Sequence, residues 1–246
     1  MDRLIYTAMS GARESMRAQS VVSHNIANLG TNGYRALQHS MQSHQAPGDG
    51  LQSRVNAQGL PTTWDDSQGP AMQTGRELDI AVQGKGWLTV QGPDGNEAYT
   101  RAGSLRLTPE GLLETPGGQL VLGNGGPISL PPFEKLEIGG DGTISIVPQG
   151  QEVSTIAEVD RFKLVNPPKE SLHQVGSSLF QTISGDAAEA DPNVKIANGQ
   201  LEASNVNAAA ALVDMIEISR SYEMQIRAMH TAEEASQVAA QLMRLG

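Results

Sequence analysis

Five histidines, 27 acidic residues and no cysteine are what this 246-residue chain offers for side-chain chemistry. The lack of thiols excludes disulfide scaffolds, thiolate metal sites and thiol catalysis. His39 and His44 stand five apart in a polar stretch, where a metal would need carboxylates brought from elsewhere, so they read as solvated. Asp65-Asp66 and Glu233-Glu234 are neighbours in sequence. Neighbours on a strand point to opposite faces and on a helix diverge by about 100°, so both pairs read as surface rather than as the two facing carboxylates of a glycosidase. Trp64 and Trp87 are the only tryptophans, a thin supply of sugar-stacking platforms. Gly84-Lys85-Gly86 lacks the third glycine of a phosphate cradle and falls between strands, where a hairpin accounts for it. The chain contains no P-loop, no nucleophile elbow and no HExxH zinc motif. The expectation is a protein without catalytic residues, cofactor, metal or small-molecule substrate.

Charge narrows the partners. Seventeen basic residues against 27 acidic ones give a net of -10, which offers nucleic acid or an anionic membrane surface no electrostatic hold. Asp2, Arg3, Arg13, Glu14 and Arg17 interrupt the apolar stretch that a secretory signal needs. The longest apolar run, Ala208 to Val213, falls far short of the roughly 20 residues that cross a bilayer. By these signs the chain stays in the cytoplasm unless a dedicated secretion machine exports it.

With side-chain chemistry set aside, function must lie in surfaces, and the distribution of helix breakers shows what elements carry them. The first proline is Pro47 and the last Pro192, and fifteen of the 27 glycines fall between Gly84 and Gly150. Both ends are therefore free to be helical while the middle is dense in turns. Ile5, Ala8, Met9, Ala12, Met16, Val22 and Ile26 recur at helical spacing, predicting a helix over 3–28, with Asp2 as N-cap and Asn28-Leu29-Gly30 as a stop whose glycine is left-handed. Ala208, Leu212, Met215, Ser219, Tyr222, Ile226 and Met229 keep a 4-3-4-3 spacing that resumes, after a shift, at Ala235, Val238, Leu242 and Leu245. That predicts a coiled-coil-like seam on a helix over 205–245, capped by Ser204 or Asn205. Residues 30–78 are polar and aperiodic, as in a linker or extended arm. From Leu78, short alternating runs separated by Pro-Asp-Gly, Pro-Glu-Gly and Pro-Gly-Gly turns predict an antiparallel sandwich or open barrel over 79–200. The fold class expected is α+β, divided at 1–29, 30–78, 79–200 and 201–246: two long terminal helices packed as a coiled-coil-like pair, with a central all-β domain between them in sequence.

Three short segments are more specific. Asn25, Asn28, Thr31, Asn32, Gly33 and Tyr34 lie in a run from Ser20 to Arg35. Tyr99-Thr100-Arg101-Ala102-Gly103 runs on to Gly117-Gly118. Leu201 to Asn207 contains Ser204, Asn205 and Val206. In this order they resemble the N-terminal, central and C-terminal signatures of the bacterial flagellar axial proteins, the rod and hook subunits. The opening from Met1 to Ala12 and the modest length look most like the proximal-rod branch, with the distal rod its close competitor. The resemblance implies a structural subunit of the basal-body rod, assembling helically with other copies of itself and with other proximal and distal rod subunits. It also implies export through the flagellar type III apparatus without a cleaved signal, and a place in the periplasmic rod. On that basis Ile5, Met9, Ala12, Met16, Val22 and Ile26, with Leu212, Met215, Tyr222, Ile226, Met229 and Leu242, are expected at subunit interfaces. Asn25, Asn28, Asn32 and Gly33 suit capping and turns by their chemistry alone.

Overall fold

The computed structural model describes residues 2–45, 55–150 and 157–244. The chain is α+β and divides into two compact units, one of Met1–Leu29, Ala36–Asp65 and Val206–Gly246, the other of Gly30–Arg35 and Asp66–Asn205. No helix is long and apolar enough to cross a membrane among the described residues.

The first unit is built on α1 (Asp2–Ala27) and α2 (Ala208–Arg244), which pack against each other. On α1 the residues at 5, 8, 12, 15, 19, 22 and 26 are buried or half-buried; on α2 those at 211, 215, 218, 222, 225, 229, 232, 236 and 239 are, and both series step by threes and fours. The contact is close because it is made by small residues: Ala8, Ala12, Ser15, Ala211 and Ala232 are buried, and a Cβ on Gly11 would press on the Gln225 side chain. The helix ends differ from expectation. Gly30 is not left-handed; instead Asn28 Nδ2 donates to the His24 carbonyl at 2.8 Å and closes the last turn. At the other end, Asn207 rather than Ser204 or Asn205 caps α2, its Oδ1 accepting the Ala210 N–H at 3.1 Å.

Much of the segment expected as a linker is ordered against α1. Leu37–Gln38 pairs with Thr63–Trp64, and a hairpin joins Met41–Gln45 to Val55–Gly59; its tip lies outside the described residues. An isolated two-stranded hairpin is marginal in water, so it needs the helix. One face of α1 supplies the contacts. Asn25 Oδ1 accepts the Leu37 N–H at 2.8 Å while its Nδ2 donates to the Leu37 carbonyl at 2.9 Å, and Ser10 Oγ accepts the Ala57 N–H at 3.2 Å. Glu14 is fully buried on the same face, receiving Arg17 Nη1 at 2.9 Å and Arg13 Nε at 3.3 Å on Oε1, with His39 Nε2 3.6 Å from Oε2. A Cβ on Gly59 would collide with Glu14 Oε2. Gly59→Ala should therefore loosen the strap at a cost of about 1–3 kcal/mol, read as faster amide exchange at Ala57 with the helix pair unaffected; unchanged exchange there would contradict the contact.

The second unit is a set of small antiparallel sheets around one apolar core. Five strands run in the order Leu164–Val165, Trp87–Gln91, Glu97–Thr100, Leu179–Thr182, Leu172–Gln174; three more, Phe133–Ile138, Thr143–Pro148 and Ala157–Arg161, form a meander. Ile80–Gln83 pairs with Lys195–Asn198, and Ala71–Gln73 with Gln200–Glu202. Ile80, Leu88, Val90, Leu105, Val121, Ile144 and Phe162 belong to the shared core, and Trp87 meets Phe180 with ring centroids 4.5 Å apart. No closed barrel forms among the described residues.

Candidate functional site

Residues of all three signature segments meet inside the second unit. Gly33 opens this convergence: its φ of +68° is the left-handed conformation that favours glycine, and a Cβ there would overlap the Arg101 carbonyl. Its N–H donates to the Glu202 carbonyl at 2.8 Å. The N-terminal signature is thus pressed onto the backbone of the central one and hydrogen-bonded to the C-terminal one. Tyr34, fully buried, follows, and its carbonyl accepts the Asn205 N–H at 3.4 Å.

Charge completes the junction. Arg35, Arg101 and Glu202 are 0%, 3% and 1% exposed. Glu202 Oε1 receives Arg35 Nη1 at 2.8 Å and the Gly69 N–H at 3.0 Å; Oε2 receives Arg101 Nη1 at 2.9 Å. Arg35 also donates to the Ser67 carbonyl, and Arg101 Nη2 to the Gly84 carbonyl at 2.6 Å, with its guanidinium 5.4 Å from the Trp87 ring centroid. Burial holds the Arg35 guanidinium below its ordinary value, opposed by the Glu202 carboxylate and reinforced by the Arg101 charge. Arg35 Nε and Nη2 and Arg101 Nε are buried without a hydrogen-bond partner. One carboxylate thus serves two cations, and each of the three sits on a different signature.

The remaining signature residues support this junction or the helix end. Asn205 Nδ2 donates to the Ser67 carbonyl at 2.9 Å, tying the C-terminal signature to the same carbonyl that Arg35 holds. Ser204 is buried and Val206 half-buried. Thr100 Oγ1 donates to the Ser178 carbonyl at 2.9 Å, Tyr99 is buried with its hydroxyl accepting the Ala188 N–H at 2.8 Å, and Gly103 is packed so closely on the Ile80 carbonyl that no Cβ fits. Thr31 accepts the Tyr34 N–H at 3.3 Å, and Asn32 lines an open groove with Thr100, Ser104, Gln119 and Ser178. That groove's lining includes neither a carboxylate nor an aromatic ring. Asn25 and Asn28 serve the first unit, as described above. In sequence, the signal for Arg35 and Glu202 is that each is the one charged residue of its segment, Ser20 to Arg35 and Leu201 to Asn207, with opposite signs.

The residues expected at subunit interfaces fall into two groups. Ile5, Ala12, Val22 and Ile26 on α1, and Met215, Tyr222 and Met229 on α2, occupy the contact series between the two helices, with Ile226 half-buried beside it. Met9 and Met16 are exposed, as is Leu212 at 54%. The side chain of Leu242 lies outside the described residues, as does Leu245.

Comparison with known proteins identifies the class. Three family models match in order: flagella basal body rod protein over 5–35, flagellar hook protein FlgE/F/G D1 domain over 81–146, and flagellar basal body rod FlgEFG protein C-terminal over 197–242. The chain is 37% identical over 251 residues to the flagellar basal-body rod protein FlgF of Escherichia coli K12, covering 100% of both chains, and equally to that of Salmonella typhimurium. It is 30% identical to FlgG of Bacillus subtilis over 267 residues, covering 99% of this chain and 100% of that one. The chain belongs to the flagellar basal-body rod protein family and is FlgF-like within it.

Proposed function

We propose that the chain is a structural subunit of the proximal rod, carrying torque from motor to hook by contacts rather than by catalysis. The observation that carries this reading is the surface of the helix pair: with the contact series between α1 and α2 already filled, Tyr6, Met9, Met16, Leu212, Val213, Ile216 and Met224 still stand exposed. Large apolar side chains clustered on a folded surface mark sites of association. In this reading the helices pair in coiled-coil fashion along the shaft axis and meet other rod subunits through those side chains. The division at 1–29, 30–78, 79–200 and 201–246 is the same proposal in sequence terms, with the strap on α1 as the part of 30–78 that stiffens the helix pair. Export by the flagellar type III apparatus without a cleaved signal, and a periplasmic rod, complete it; family membership supports both.

Leu212→Asp tests the reading. At an exposed position the change should move the stability of the purified chain by no more than about 0.5 kcal/mol, while cells carrying it should export the protein and fail to swim. Normal swimming, or a chain absent from isolated basal bodies of the parent strain, would sink the proposal.

A further inference from the structure

We propose that Asn124 is a site of spontaneous deamidation, the member of the chain's three Asn-Gly pairs that the fold leaves free to react. Asn32-Gly33, Asn124-Gly125 and Asn198-Gly199 share the local chemistry that the reaction needs, since a glycine after asparagine puts no Cβ in the way of the ring that forms. The glycine nitrogen gives up its proton and attacks the asparagine Cγ. The N–Cγ bond forms, the Cγ–Nδ2 bond breaks, and the amide leaves as ammonia with the displaced proton, giving a cyclic imide. Water then opens the ring at either carbonyl, leaving aspartate or isoaspartate. Such a step needs a backbone nitrogen that is not donating to an acceptor, and a backbone free to turn that nitrogen onto the preceding side chain.

Tertiary structure withholds those conditions from the other two pairs. The Gly33 N–H donates to the Glu202 carbonyl at 2.8 Å, and Arg101 backbone atoms crowd its α-carbon. The Gly199 N–H donates to the Asp79 carbonyl at 2.8 Å, its own carbonyl accepts the Thr74 and Gly75 N–H groups, and Asn198 is held in register against Ile80. Asn198 is exposed all the same, so solvent access does not separate the pairs; the engaged nitrogen does. Asn124 and Gly125 form the exposed turn between Leu122–Gly123 and Gly126–Pro127. Among the described residues no acceptor takes the Gly125 N–H, and a Cβ placed on Gly125 or Gly126 would meet nothing within 4 Å. Two glycines in succession leave that backbone free to rotate. The product adds a carboxylate where acids already gather: Asn124 lines a small pocket with Asp141, Arg161 and Asp191, and the Asp160 carboxylate lies against Gly123. Hydrogen bonds from Thr143 and Asn193 hold Asp141 and Asp191 below the usual carboxylate range, so both are ionised beside the new charge.

Incubating the purified full-length chain warm in mildly alkaline buffer tests this, whether or not the chain is a rod subunit. Arg35, Arg106, Lys135, Lys195 and Arg220 let trypsin place each pair on its own peptide, and mass spectrometry follows the exchange of each amide NH2 for a hydroxyl. A parallel incubation in urea reads the same pairs without the fold. The expected result is loss of the amide from Asn124 in the folded chain, as aspartate and isoaspartate, while Asn32 and Asn198 remain intact; in urea all three pairs lose it. Gly125→Ala, at an open position whose φ is not left-handed, should fold as the parent does and slow the loss. Equal loss from all three pairs of the folded chain would overturn the inference, as would an Asn124 amide that survives the folded incubation. Loss from the Gly125→Ala chain as fast as from the parent would overturn it too, by showing that ring closure through the Gly125 nitrogen is not the route.

Discussion

Glu202→Leu is expected to lower the stability of the β-rich unit by about 3–5 kcal/mol, a large part of the roughly 5–15 kcal/mol that holds a domain folded. The substitution leaves Arg35 and Arg101 as two like charges inside a nearly water-free site. It removes the acceptor for both guanidiniums and for the Gly69 N–H, and no other carboxylate pairs with either arginine among the described residues. The cost lies mainly in the stranded cations rather than in any net strength of the ion pairs, since burying three charges is itself expensive. A second variant separates these effects. With Arg35→Met, Arg101→Met and Glu202→Leu combined, no charge is stranded, and much of the lost stability should return. Urea midpoints of the purified chains read both outcomes. A Glu202→Leu chain within about 1 kcal/mol of the parent would show that the junction does not hold the unit together.

Gly33→Ala should be nearly as damaging, and for steric reasons alone. The residue is left-handed at φ +68°, which costs a side-chain-bearing residue about 1–2 kcal/mol, and the new methyl would enter the Arg101 carbonyl and stand 2.5 Å from the Ala102 nitrogen. Backbone atoms cannot yield as a flexible side chain does, so overpacking adds about 1–3 kcal/mol. Gly30→Ala is the matched control three residues earlier: it meets no atom within 4 Å, is not left-handed, and should change stability by less than about 0.5 kcal/mol. Thermal melts of the two variants decide the matter. Equal melting temperatures would mean that Gly33 is not pinned to the central signature, whereas a large loss confined to Gly33→Ala would support that contact.

Both substitutions fall in segments that the sequence marked as special without showing why. Asn32 and Gly33 read as ordinary turn residues, since such types tolerate left-handed or tight conformations wherever a chain bends. What distinguishes them is a contact with residues far along the chain, and local patterning carries no record of that. The strap is a similar case. Ser10, Glu14 and Asn25 are polar and lie outside the apolar stripe by which α1 is legible, and the strands they hold are polar and without alternation.

What the sequence by itself determined was the kind of each large element and the family. Breaker-free ends with apolar residues at three- and four-residue steps specify long helices because only a helix returns such positions to one side. Dense Pro- and Gly-bearing turns specify short strands, and three ordered signatures specify a rod protein. Tertiary structure decided the phase of α2 and the meeting of the charges. Around Ala208–Val213 every position is apolar, so periodicity could not say whether Ala211 or Leu212 faces α1. Close approach of the two helices favoured the smaller residue, burying Ala211 and leaving Leu212 outside. Arg35, Arg101 and Glu202 lie too far apart in sequence for any local rule to join them; only the folding of three segments into one unit removes the water that would otherwise screen them, and makes their pairing matter.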